Sequence, residues 1–253
     1  METVLRTKSG DDESDARKML MLHASKADAN PNIVSNLFVH CSKMTIRREI
    51  HTQLEDWKVA AIEVIQNKHV NEVILRCIEE YGVNVEQSTS GVVKIVYVNN
   101  SCQNLRGFSG INEVYINAVH FLLSLHVYDA IIADKHDLEL RLQVDIINVA
   151  IHELAHLQLR KAMNDFNTSY PILAKSNALP DNYLEFGRYV EEQIFGAPVD
   201  WMESDVDVHY LESIVSSVKS DSPIPKLTNV DEIIVREYPL LMALDYKNSQ
   251  SYC

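Results

Sequence analysis

Glycine is scarce in this chain, with seven residues among 253. Since glycine concentrates in tight turns, hairpins and bulges, the shortage weighs against an all-β fold and toward long helices. Nowhere is there a run of 18 or more apolar residues, so no bilayer-spanning helix is expected. The N-terminal residues, Met-Glu-Thr-Val-Leu-Arg-Thr-Lys-Ser-Gly, lack the apolar core of a secretory signal. The chain is therefore expected to be made and kept inside the cell, in the cytoplasm. Cysteines are few and scattered: Cys41, Cys77, Cys102 and Cys253 form no CxxC pair. That spacing indicates neither a disulfide framework nor a cysteine-based zinc site. Positive charge is also short, with 23 Lys and Arg against 36 Asp and Glu, a net charge of −13. A surface so acidic repels phosphate backbones and anionic lipid, so neither nucleic acid nor a membrane is expected as partner.

What is present is ample apolar material. At 46% hydrophobic residues the chain can bury a sizeable core, which excludes disorder as its overall state. Residues 1–15 are polar and read as a tail. A short helix is expected from Asp15 to Ala27. From Thr45 to Tyr81 the apolar residues Ile46, Ile50, Leu54 and Trp57 recur at helical spacing, and a second helix is expected from Val70 to Tyr81, stopped by Gly82. After Gly91 the pattern changes. Val92 to Val98 is β-rich, and Glu113 to Asn117 is a second strand candidate after the turn-like Gly107-Phe-Ser-Gly110. Helical patterning returns over Ala118–Ala133, Leu138–Met163 and Asp181–Phe195. The expected fold class is α+β, mostly helical: a helical N-terminal region over 16–90 and a second region over 91–253, or one continuous domain from 16 to 253.

One motif carries chemistry. Residues 152 to 156 read His-Glu-Leu-Ala-His. On a helix, positions i and i+4 share a face, so His152 and His156 can reach one metal ion. Imidazole nitrogens suit Zn²⁺, which catalytic sites hold through three protein ligands, leaving a position for water. Glu153, beside the first histidine, is placed to take that water's proton. The surrounding Ile146, Ile147, Val149, Ala150, Ile151, Leu154, Ala155 and Leu157 make the helix apolar nearly all round, so its polar groups need partners. For the third ligand the candidates are Glu191 and Glu185. Projected as a helix, residues 183–195 put Tyr183, Gly187, Val190 and Ile194 on an apolar face. Glu191 borders that face, stacked on Gly187, whereas Glu185 and Glu192 fall on the wet side. Glu191 is therefore preferred, and Glu185 is the alternative.

His152-Glu-Leu-Ala-His156 followed by a downstream glutamate resembles the gluzincin branch of the zincin metallopeptidases. The interval from His156 to Glu191, and the segment Glu191-Glu192-Gln-Ile-Phe195-Gly196, are similar to those of the clostridial neurotoxin light chains. The resemblance covers roughly residues 149–196. The chain lacks the Asn-Glu-x-x-x-Asp segment of thermolysin-like enzymes and the His-x-x-Gly-x-x-His extension of metzincins. The resemblance implies a zincin-like core in which a small mixed sheet packs on the HExxH helix, and an edge strand above it to which substrate adds. Glu113–Asn117 is the candidate for that strand, with an ordinary internal strand as the equal alternative. It also implies a Tyr or His to stabilise the oxyanion; among His209, Tyr210, Arg236 and Tyr238 the residues themselves do not choose.

The expected function is that of a zinc-dependent metallopeptidase acting on a peptide or protein, with Zn²⁺ held by His152, His156 and Glu191 and with Glu153 as the base. The alternative is a non-catalytic zincin-fold binding module that keeps the metal for structure.

Overall fold

A computed structural model of the chain describes residues 12–26, 41–48, 52–83, 85, 92–102, 105–164, 186–197 and 199–227. In chain order the elements are α1 (Asp12–Lys26), β1 (Thr45–Ile46), α2 (Thr52–Gln66), α3 (Lys68–Glu80), β2 (Lys94–Asn99), β3 (Gly107–Ser109) and β4 (Glu113–Asn117). They continue with α4 (Ala118–Tyr128), α5 (Lys135–Ala162), α6 (Phe186–Phe195) and α7 (Val208–Lys219). The fold is α+β, mostly helical with one small mixed sheet. Among the described residues no helix is long and apolar enough to cross a membrane.

Caps explain most boundaries. The Asn67 side chain accepts from the His69 and Val70 amides, so a single residue separates α2 from α3. Gly82 follows α3 at φ +76°, the left-handed conformation expected of a helix stop. Asn117, Asp134 and Asp207 cap α4, α5 and α7 in the same way. The elements differ from the sequence reading in several places. Helical spacing was expected from Thr45, but Thr45 and Ile46 form strand β1, paired antiparallel with Asn99 and Val98, and α2 starts at Thr52. Helix α1 starts at Asp12, ahead of Asp15, with Asp12, Glu13 and Asp15 in its first turn, where carboxylates suit the helix dipole. Helix α4 stops at Tyr128 rather than Ala133, because Asp134 is already committed to capping α5. Helix α7 was not expected at all.

The sheet order is β1-β2-β4-β3. Strands β2 and β4 are parallel, from Lys94↔Glu113 to Val98↔Asn117, whereas β1 and β3 are antiparallel to their neighbours. Glu113–Asn117 is thus the internal strand, and the edge beside it is Gly107–Ser109. Side chains alternate across the sheet. Ile95, Tyr97, Val114 and Ile116 join the main core, which extends from Leu54 to Ile224 and is threaded by α5. Val98, Phe108 and Tyr115 face the other way and pack on Ala16, Met19 and Leu20 of α1. The sheet therefore lies between α1 and α5.

Two buried polar residues hold the irregular segments. Asn117 Nδ2 donates to the carbonyls of Asn100, Cys102 and Leu105, and its Oδ1 accepts from the Asn100 and Val119 amides. It thereby fixes the approach to β3. Arg141, fully buried in α5, donates to Asp137 and to the carbonyls of Trp201, Ser204 and Val206, clamping the segment between α6 and α7.

Candidate metal centre

Helix α5 is buried along most of its 28 residues, and its buried polar residues are not scattered. At about 100° per residue, Asp137, Arg141, Asp145, Asn148, His152, Glu153, His156 and Arg160 all project from one half of the helix. The result is a buried polar seam, with Glu139, Gln143, Gln158 and Lys161 on the opposite half of the helix. Glu153 and His156 are each 5% exposed, and the His152 and His156 rings lie 5.0 Å apart at 65°.

Helix α6 crosses this seam at His152. Gly187, Val190 and Ile194 are buried as on the apolar face read from the sequence, Phe186, Tyr189 and Phe195 are buried as well, and Tyr183 lies outside the described residues. The Tyr189 hydroxyl donates to Glu80 of α3 at 2.6 Å, and the Tyr81 ring meets Phe186 and Tyr189 edge-on. Held in this way, α6 brings Gly187 against His152: a Cβ at Gly187 would stand 2.6 Å from the imidazole Cε1 and Nδ1. One turn on, Glu191 Oε1 lies 2.6 Å from His152 Nδ1. Glu192 is half-buried, and Glu185 lies outside the described residues.

The third wall is the edge strand. A Cβ on Gly107 would stand 2.7 Å from Val149 Cγ1 and 3.3 Å from Glu153 Cγ, so β3 lies directly across α5 at the motif. Arg160, one turn beyond His156, donates to the Ser109 carbonyl at 3.1 Å and to its hydroxyl at 2.8 Å. Burial lowers the Arg160 guanidinium from its ordinary value, and the Glu153 carboxylate opposes that shift. Arg106, just before β3, pairs with Asp145 of α5. Burial likewise lowers Arg106, with the carboxylates of Glu191 and Asp200 acting against it.

The downstream oxyanion candidates lie elsewhere. His209 and Glu212 of α7 cluster with His136, which sits sixteen residues before His152 on α5, about 24 Å along the helix axis. The Tyr210 hydroxyl donates to the Pro225 carbonyl and its ring stacks on Trp201, a packing role. Arg236 and Tyr238 lie outside the described residues. Arg106, Asp145 and Arg160 were missed by the sequence reading, although the seven-residue step from Asp145 to His152 and the four-residue step from His156 to Arg160 were there to be read.

Do these residues suit a zinc ion? Two imidazoles and a carboxylate are the donor set of a catalytic zinc site. The second carboxylate, Glu153, has its Oε2 buried with no hydrogen-bond partner among the described residues. Against this, among the described residues no three His, Cys, Asp or Glu side chains already stand around one point at ligand distances. His152 and Glu191 touch each other. Ligand atoms on tetrahedral zinc are separated by about 3.3 Å, so the pair must open by about 0.7 Å, within the reach of a side-chain rotation. The donor set fits. No protein-family model, no curated protein and no solved structure matches the chain.

Proposed function

We propose that the chain is a zinc-dependent peptidase of zincin type, with His152, His156 and Glu191 holding the metal and a peptide or protein as substrate. One observation carries the proposal: an HExxH pair on a buried helix, a glutamate delivered to it by a second helix, and an antiparallel edge strand laid across the motif at Glu153. This is the layout that the resemblance to gluzincins leads one to look for.

Zinc, when bound, would polarise the scissile carbonyl and acidify the attacking water. The chain's own groups do the rest. Glu153 takes the water proton on Oε2 and returns it to the leaving nitrogen as the C–N bond breaks. Its burial excludes competing solvent. The β3 backbone orients the substrate: Arg106 O and Gly110 N bond to β4, so Gly107 and Ser109 turn their backbone groups away from the sheet, the Ser109 carbonyl toward Arg160, which leaves Gly107 and the Ser109 amide to meet a substrate. A substrate backbone adds along that edge as a further strand. Arg160, by holding Ser109, fixes the distance between that edge and Glu153.

The contact of His152 with Glu191 favours a second reading, a binding module in which the motif residues satisfy one another. One experiment separates the two. Full-length chain loaded with zinc is assayed for metal content and for cleavage of a quenched peptide library, beside Glu153→Gln. One equivalent of zinc and cleavage lost in the variant support the peptidase. One equivalent without cleavage supports the binding module, and a chain that takes up no zinc overturns both.

A further inference from the structure

We propose that His136, His209 and Glu212 form a second cation site, which takes a divalent transition ion such as Zn²⁺ and ties the N-terminus of α5 to that of α7. It lies about 24 Å along α5 from the HExxH pair and on the other half of that helix from the seam, so it does not depend on the peptidase reading.

Three donor groups meet there. Glu212 Oε1 stands 3.1 Å from His136 Nε2, and Glu212 Oε2 stands 3.2 Å from His209 Nδ1. Neighbouring ligand atoms on tetrahedral zinc are about 3.3 Å apart, so both nitrogens already keep the spacing from the carboxylate that a shared ion requires. His209 and Glu212 are three residues apart on α7 and share a face, and His136 reaches them from α5. Among the described residues no trio is drawn up at full ligand distances, so the two imidazoles must still turn toward one point. They have the freedom to do so. The side chains of His136, Glu212 and His209 are 62%, 46% and 87% exposed. Glu212 also lines a cleft of about 420 Å³, bounded by Leu140 of α5 and Val215 of α7.

The sequence builds the two arms alike. Asp134-Lys-His136-Asp-Leu-Glu139 opens α5 and Asp207-Val-His209-Tyr-Leu-Glu212 opens α7, the same Asp-x-His-x-Leu-Glu pattern. In each arm the aspartate caps the helix and accepts the amide of the histidine two residues on, which pins both ligand backbones. Glu139 is exposed and stands to His136 as Glu212 stands to His209. A helix N-terminus disfavours a cation, and the four carboxylates of the two arms offset that effect. Lys135, next to His136 in sequence, is drawn away by its pairing with Asp129. Two imidazoles select a borderline ion over Ca²⁺ or Mg²⁺, which prefer all-oxygen sets. The incoming ion replaces the two N–H protons that the rings direct at Glu212, and those protons pass to solvent.

The test uses the full-length chain without a polyhistidine tag, in a His156→Ala background where the motif pair is broken. Calorimetric titration with Zn²⁺ should show one site, for which Ni²⁺ competes and millimolar Mg²⁺ does not. Adding His209→Ala should weaken that binding by more than the ~10–100-fold that loss of an outer-shell partner costs, and Glu212→Gln should do likewise. Proton NMR gives a second readout: Zn²⁺ should shift the ring signals of His136 and His209 together, and in Glu212→Gln both shifts should need correspondingly more Zn²⁺. Zinc binding to His156→Ala that neither His209→Ala nor Glu212→Gln changes would overturn the site. So would a wild-type chain whose zinc uptake is lost entirely in His156→Ala, a result that leaves the peptidase reading standing.

Discussion

Glu153 and Gly187 show how much of the proposed chemistry hangs on single atoms. Glu153→Gln keeps the side-chain shape and removes the base. Zinc content and thermal stability should remain near wild type, while turnover falls by ~10²–10⁴-fold. Unchanged turnover in metal-replete Glu153→Gln would show that another group takes the proton. Gly187→Ala pits two effects against each other. Alanine favours a helix by about 1 kcal/mol over glycine. Its methyl would, however, sit 2.6 Å from the His152 ring, and overpacking of this kind costs roughly 1–3 kcal/mol. The clash should win: a lower melting temperature and weaker zinc binding, both read by calorimetry with and without metal. A Gly187→Ala chain that is more stable than wild type and binds zinc equally well would mean that the approach of α6 to α5 does not shape the site. The importance of this glycine could be read in the sequence, because Gly187 lies one turn below Glu191 on an apolar face. The Arg106–Asp145 pair could not be read, because nothing in the local spacing joins a loop residue to a helix 39 positions away.

At the level of elements, strong periodicity was legible and weak punctuation was not. The buried helix carrying the motif, the helix stopped by Gly82 and the strands at Lys94–Asn99 and Glu113–Asn117 follow from apolar spacing and caps. Strand β3 was hidden because Gly107-Phe-Ser-Gly110 has the composition of a turn. It is a strand because Gly107 is needed small against α5, not for a left-handed backbone. Helix α7 was missed despite Leu211, Ile214, Val215 and Val218 at helical spacing after the Asp207 cap. The N-termini of α5 and α7 meet at an exposed clasp, His136–Glu212–His209, with ring nitrogens 3.1 and 3.2 Å from the carboxylate. The His209 pKa is raised, chiefly by its hydrogen bond to Glu212, and the Glu212 pKa is lowered, chiefly by His136. For His209 the folded value exceeds the unfolded one, so its contribution is complete below the ordinary histidine range and is lost as pH rises through the raised value. The Glu212 contribution is present above the ordinary carboxylate range and is lost as pH falls through the depressed value. In a proton NMR titration His209 should titrate above an unperturbed histidine, and Glu212→Gln should lower it, with Asp207 retaining part of the rise. An unshifted His209 in wild type would show that the clasp does not form in solution. Because both groups are exposed to solvent, overall stability should hardly change.

For the molecule as a whole, the α+β class and the helical majority were legible from low glycine content and apolar spacing, whereas the strand order was not, since pairing is decided by contacts far apart in sequence. Metal should couple to global stability, because the motif helix is the centre of the main core. Ligand that binds only the folded state adds RT ln(1 + [L]/Kd), roughly 4 kcal/mol at a thousandfold excess over Kd. Chelation should therefore lower the melting temperature by several degrees, and zinc should restore it. His156→Ala should melt below zinc-loaded wild type and respond little to chelator. Wild-type melting that ignores chelator, in protein shown by metal analysis to be emptied, would remove Glu191 from the ligand set.

The seam on α5 also constrains how this protein can change over generations. Arg141 holds the segment after α6, Asp145 holds Arg106, His152 meets Glu191, and Arg160 holds β3. The bonds run to the β3 segment, to α6 and to the residues after α6, yet all depend on one helical phase. Substitution at a single seam position severs a single link. One inserted or deleted residue between Arg141 and Asp145 would instead turn every later group by about 100°, unseating the histidines, the base and the strand clamp together. The interval from Asp137 to Arg160 should thus admit changes of residue type but not of length.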